Sequence, residues 1–160
     1  MAGTATGEWN TLAGALRTLH AALLRRVRAE YVKQRGLADN EVGPRELLML
    51  ATRDESFAWL RSLSELMSDI DELRDSTEGA GEPRLQAAVR GAVESLLAPA
   101  PSGATPTSFQ ENYWRHVHDD PEVTIAHSAV RQSLRTWPEA APASPAIAEH
   151  LEELRKNRRP

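Results

Sequence analysis

Trp9, Leu12, Leu16, Leu19, Leu23, Val27 and Tyr31 follow one another at intervals of three and four residues. At roughly 100° of turn per residue, that spacing holds all seven on one side of an α-helix. A strand would put Leu12 and Leu16 on the face opposite the other five, and no strand-like alternation of useful length appears. A stripe this long must also be covered, and the rest of the chain shows what covers it. Gly36 marks the expected stop, and "GLADNEVG" reads as the loop that follows.

The later segments repeat the helical period. Pro44 suits a first helical turn, where its missing N–H costs nothing. "ELLMLA" is apolar all round and is therefore expected to form a short buried helix. "TRDES" then offers a new start, capped by Thr52 with Glu55 or by Asp54 alone. One unbroken helix over about 44–75 is the alternative, and both remain open at this level. Trp59, Leu60, Leu63, Leu66, Met67, Ile70 and Leu73 make the next apolar arc, which "STEGAGEP" ends.

A fourth helix is expected over 83–97, with Leu85, Val89, Val93 and Leu96 on one side and Gly91 weakening it. Thr107 with Gln110, or Ser108 with Glu111, forms a capping box for a fifth. Its inner face carries Phe109, Tyr113, His116 and Val117. Pro121 interrupts it, making Asp120 the N-cap of a sixth helix whose inner face is Val123, His127, Val130, Leu134 and Trp137. A last short helix should run from Pro145 to about Lys156, with Ile147, Leu151 and Leu154 inward. Residues 98–107 and 138–144, rich in Pro, Ala and Ser, read as flexible linkers, and 155–160 as a basic tail. The expected fold is a single all-α domain over residues 1–160, a bundle of five to seven helices.

Composition removes several function classes. There is no cysteine, so disulfides, thiolate nucleophiles and Cys-type zinc sites are out. A net charge of −4 argues against general nucleic-acid binding, which needs a positive field. No apolar run approaches the ~20 residues needed to span a bilayer, and "MAGTATGEWN" lacks the features of a secretory leader. A cytoplasmic location is expected, without membrane attachment. Charge is unevenly spread: residues 17–35 carry six basic side chains against Glu30, and 54–82 carry nine carboxylates against Arg61 and Arg74. The simplest reading places the first and third helices side by side with their flanking charges paired.

The densest chemistry lies in "HVHDDPEVTIAH", residues 116–127. His20, His116 and His127 each fall on the inner face of a different helix. Glu30 and Asp71, at the edges of their stripes, could complete a metal site with them. Helical bundles build such sites from Glu-x-x-His pairs, and this chain has no such pair, nor His-Glu-x-x-His or His-x-x-x-His. The histidines are therefore expected as polar core residues, hydrogen-bonded to Tyr31, Tyr113, Glu30 or Asp71. No metal, cofactor or catalytic residue is assigned. No Gly-x-Ser-x-Gly elbow or glycine-rich phosphate loop is present. Trp114 lies off the Phe109–Tyr113 face, which suggests either a contact residue at the surface or a second packing layer against the last helix.

"ELLMLATRDESFAWLRSLSELMSDID" (46–71) and "DDPEVTIAHSAVRQSL" (119–134) resemble segments of small bacterial helical proteins to which no activity is assigned. The resemblance covers about a quarter of the chain, implies an all-helical fold, and transfers no site residue. The expected function is that of a non-enzymatic bundle protein acting through a protein partner or through self-association. The alternative is a bundle that binds a metal or small ligand through its inward histidines.

Overall fold

A computed structural model describes residues 2–76 and 81–158, with side chains from residue 5. The described residues form an all-α bundle: α1 (Ala2–Arg35), α2 (Pro44–Arg53), α3 (Arg61–Asp75), α4 (Pro83–Leu97), α5 (Ser108–Asp119), α6 (Pro121–Ser133) and α7 (Pro145–Arg158). Short 3-10 turns cover Asp39–Glu41 and Glu55–Leu60. No helix among the described residues is long and apolar enough to cross a membrane.

α1 is the axis of the fold. Trp9, Leu12, Leu16, Leu19 and Leu23 are all fully buried, and Val27 nearly so. α6 and α3 lie along this stripe, with α5 behind α6 and α4 behind α3. At the N-terminal end Trp9 meets Trp137 edge-on at 5.0 Å, tying the start of α1 to the chain beyond α6. α1 ends where the sequence says it should. Gly36 takes φ 62°, while Leu37 N–H donates to Val32 O and Gly36 N–H to Lys33 O. That is the left-handed cap that glycine adopts without steric cost.

The stretch 44–75 is two helices. Asp54 accepts from Ser56 N–H at 2.8 Å, and the 3-10 turn it starts buries Phe57, Trp59 and Leu60. Asp120 caps α6 in the same way, accepting from Glu122 N–H at 2.9 Å. The capping box of α5 is Thr107 with Gln110, with both reciprocal bonds present. α3 ends at Asp75. Residues 77–80 of "STEGAGEP" lie outside the described residues.

α1 and α3 do pack side by side, and Arg17 faces Asp71 across them at 3.8 Å. Other α1 arginines turn elsewhere: Arg25 to Glu122 on α6 at 2.7 Å, and Arg35 to Asp54 at 3.9 Å. These pairs are exposed, each worth ~0–1 kcal/mol, so they select neighbours more than they hold them.

One expectation changes. α2 is not buried: none of its residues is, and Leu48 and Met49 are 69% and 50% exposed. Its apolar residues lie on two faces. Leu47, Leu50 and Ala51 pack on the core, while Leu48 and Met49 point away from it. A peripheral helix has only one covered side, so an all-round apolar run must leave half of itself in water. Residues 138–144 run along α4. Arg90 donates to Trp137 O at 2.9 Å, and Ala141 N–H to Ala87 O at 3.2 Å. A Cβ at Gly91 would sit 3.1 Å from Ala141 O, so this close approach explains a glycine in mid-helix. The basic end is, through residue 158, a docking device. Arg155 and Arg158 both reach the buried carboxylate of Asp69, and Arg158 also pairs with Glu72 at 2.9 Å. Residues 159 and 160 lie outside the described residues.

Candidate functional site

The hairpin of α5 and α6 carries the stretch 116–127, and "DDPE" turns the chain back on itself there. Tyr113 and His127 meet across the hairpin, with the phenol oxygen 2.6 Å from His127 Nδ1 in a buried setting. Burial raises the Tyr113 pKa above the ordinary phenol range, so it keeps its proton. The phenol donates to Nδ1 in the His127 tautomer that carries its proton on Nε2.

Trp114 belongs to this cluster. Its indole meets His127 edge-on at 5.3 Å and Tyr113 at 5.8 Å, and its Nε1 is shut off from solvent without a hydrogen-bond partner. The surface position suggested for Trp114 is therefore corrected to a half-buried one. α5 alone would leave this indole outside, but α6 folds back and lays His127 against it.

His116 faces the other way. It is fully buried, stacks on Trp59 at 5.6 Å, and neither ring nitrogen has a hydrogen-bond partner. The Glu30 carboxylate stands 3.9 Å from its Nδ1, too far for a hydrogen bond. Glu30 is engaged by Arg115 at 3.0 Å and Arg26 at 3.7 Å.

His20 lies at the edge of its stripe, half-buried, with Nε2 3.1 Å from Ser64 Oγ on α3. Asp71 is held by Arg74 at 3.4 Å and Arg17. The five residues considered for a metal thus separate into different neighbourhoods. Only Glu30 and His116 approach one another, and no three His, Asp or Glu side chains among the described residues converge on a point. The α1 stripe spreads along the helix axis, so inward histidines on three helices arrive at different heights.

Burial lowers the pKa of His20, His116 and His127 from the ordinary 6.5, with Glu30 opposing the shift at His116 and Arg131 adding to it at His127. Below that ordinary value the unfolded chain takes up protons that the folded chain refuses. Stability contributed by the neutral rings is therefore full above about pH 6.5 and falls as the pH drops below it. His116→Phe should remove part of that fall. Its ring can stack on Trp59, and it deletes two buried nitrogens that have no partner, so it should leave stability at about pH 7.5 equal or higher. Urea unfolding at about pH 7.5 and about pH 5.5 checks both points; a loss above ~1 kcal/mol at the higher pH would mean that a ring nitrogen is used.

Two adjacent large apolar side chains, Leu48 and Met49, stay exposed on α2. Beside it lies a groove of about 410 Å³, lined by Tyr31, Leu37, Val42, Met49 and Leu50, with Glu41, Glu46, Arg53 and Asp54 completing its lining. Arg28 shapes one wall by donating from Nε and Nη2 to Val42 O at 3.1 and 2.9 Å, and also to Asp39 O. Tyr31 packs on Phe57 at 5.9 Å and under the Arg35 guanidinium at 4.6 Å. Sequence reasoning did not single out this face, because a continuous apolar run signals burial unless its two sides are counted separately. It also missed Asp69, although a carboxylate at helical spacing from Leu66 and Leu73 stood in an apolar arc.

No family model matches the chain, and neither does any curated protein or solved structure.

Proposed function

We propose that this is a non-enzymatic helical-bundle protein that works by protein contact, and that the outward face of α2 is the contact surface. The observation that carries the reading is the pair Leu48 and Met49, 69% and 50% exposed, on a helix whose opposite face is packed. Among the described residues, only Ile125 is a comparably exposed large apolar side chain, and it stands on α6. Adjacent large apolar side chains beside an apolar groove are the composition of the centre of a protein interface, where a partner removes them from water. The inward histidines lie in separate neighbourhoods, His127 against Tyr113, His20 against Ser64 and His116 on Trp59.

A photo-cross-linking amino acid placed at position 48, 84 or 114, and activated in the source cells, tests this. Protein adducts are expected from position 48 and not from position 84, an exposed site on α4. No adduct from 48, or adducts from 114 instead, would overturn the assignment of the surface.

A further inference from the structure

We propose that α2 pairs antiparallel with α2 of a second copy of this chain, about a two-fold axis passing between Leu48 and Met49. This rests on the reading of α2 as a contact surface, and it names the partner. Arg45, Leu48, Met49 and Thr52 are all exposed and stand at i, i+3, i+4 and i+7, the spacing of a helix-pairing seam. At roughly 100° per residue, Glu46 and Arg53 fall together on the flank that borders the groove, and Pro44 and Ala51 fall on the other flank.

A two-fold axis perpendicular to the helices reverses their direction and keeps each flank on its own side. With a rise of about 1.5 Å per residue, Glu46 of one copy then stands within one turn of Arg53 of the other, and the pair forms twice. Arg45 comes to lie over Thr52 in the last turn of the partner helix, where unpaired carbonyls favour a cation. Leu48 and Met49 meet their counterparts at the centre. The small side chains of Pro44 and Ala51 leave room for close approach on the far flank.

Parallel pairing about a two-fold axis sets Arg45 against Arg45 in the seam and sends the flanks of the two copies to opposite sides, so the Glu46–Arg53 pairs are lost. Arg45, Glu46 and Arg53 make no ion pair among the described residues. The seam is short: α2 has 10 residues. It buries less than the roughly 1,200–2,000 Å² of a standard stable interface. The dimer is accordingly weak and comes apart on dilution.

Sedimentation velocity from about 10 μM to about 500 μM should show monomer giving way to dimer. Leu48→Asp should weaken the dimer at least about tenfold, with the far-ultraviolet helical signal unchanged. Glu46→Arg and Arg53→Glu should each weaken it several-fold, and the two together should restore it. The chain has no cysteine, so Leu48→Cys under mild oxidation should yield a disulfide-linked dimer, while Ile125→Cys on α6 should not. A dimer indifferent to Leu48→Asp would overturn the pairing, and failure of the charge reversal to restore it would overturn the antiparallel register. A chain that stays monomeric throughout while position 48 still cross-links to a different protein would sink self-pairing but leave the contact surface standing. Monomer with no cross-link at all would remove both.

Discussion

Leu23→Ala should cost ~2–5 kcal/mol of folding stability, and Leu63→Ala a similar amount. Both side chains are fully buried, Leu23 at the middle of the α1 stripe and Leu63 on α3, the helix packed beside it. Truncation removes the transfer energy of the lost carbons and leaves a cavity. That cavity lies between long helices whose axes are fixed by many other contacts, so it can collapse only in part. Leu48→Ala is the matched control, because its side chain is 69% exposed. It should change stability by no more than ~0.5 kcal/mol. Urea melts of the three variants, compared at unchanged slope, separate the two sites. A Leu23→Ala midpoint equal to wild type would mean that α1 does not carry the core.

Replacing Arg155 and Arg158 together with alanine should release α7 from the bundle. Asp69 is 2% exposed, and its carboxylate is met by the Nε and Nη2 of Arg155 at 3.1 and 2.7 Å, and by Arg158. The hydrogen bond to Asp69 raises the Arg155 pKa above its ordinary value. α7 has no buried residue of its own, only Ile147, Leu151 and Leu154 partly covered against the core. Stranding a buried carboxylate costs ~3–5 kcal/mol when the site cannot open. A peripheral helix can lift away and admit water, so the expected cost is lower, roughly 2–3 kcal/mol. Most of it should appear as local opening. Amide exchange in α7 should rise to the rate of a frayed segment while α1 stays protected. Protection of α7 equal to wild type in the double variant would show that the apolar contacts alone hold it.

The helices were legible because each is written locally. The α1 stripe, the cap at Gly36, the box of Thr107 and Gln110, and the break at Asp120–Pro121 all act within a few residues, and each stands where the spacing puts it. Inward faces were equally legible, since Leu16, Leu63, Val123 and Val130 follow from period alone, whereas Trp137, also expected on the α6 face, is buried from the chain beyond that helix. The pairing of Tyr113 with His127 was within reach as one of several partners offered to the histidines.

What a side chain meets across helices was decided only by the tertiary fold. Period places His116 inward, but the packing of α5 against Trp59, with Glu30 left at 3.9 Å, determines that its nitrogens go without a partner. Trp114 lies off its own helix's stripe, yet α6 covers it. The run "ELLMLA" gives the apolar character of α2 but not its place at the edge, where one face stays in water. Asp69 finds its two arginines 86 and 89 residues away, beyond any periodic signal. Turn, cap and stripe are properties of neighbours in sequence, whereas burial and partnership depend on which helices arrive at the same height around α1.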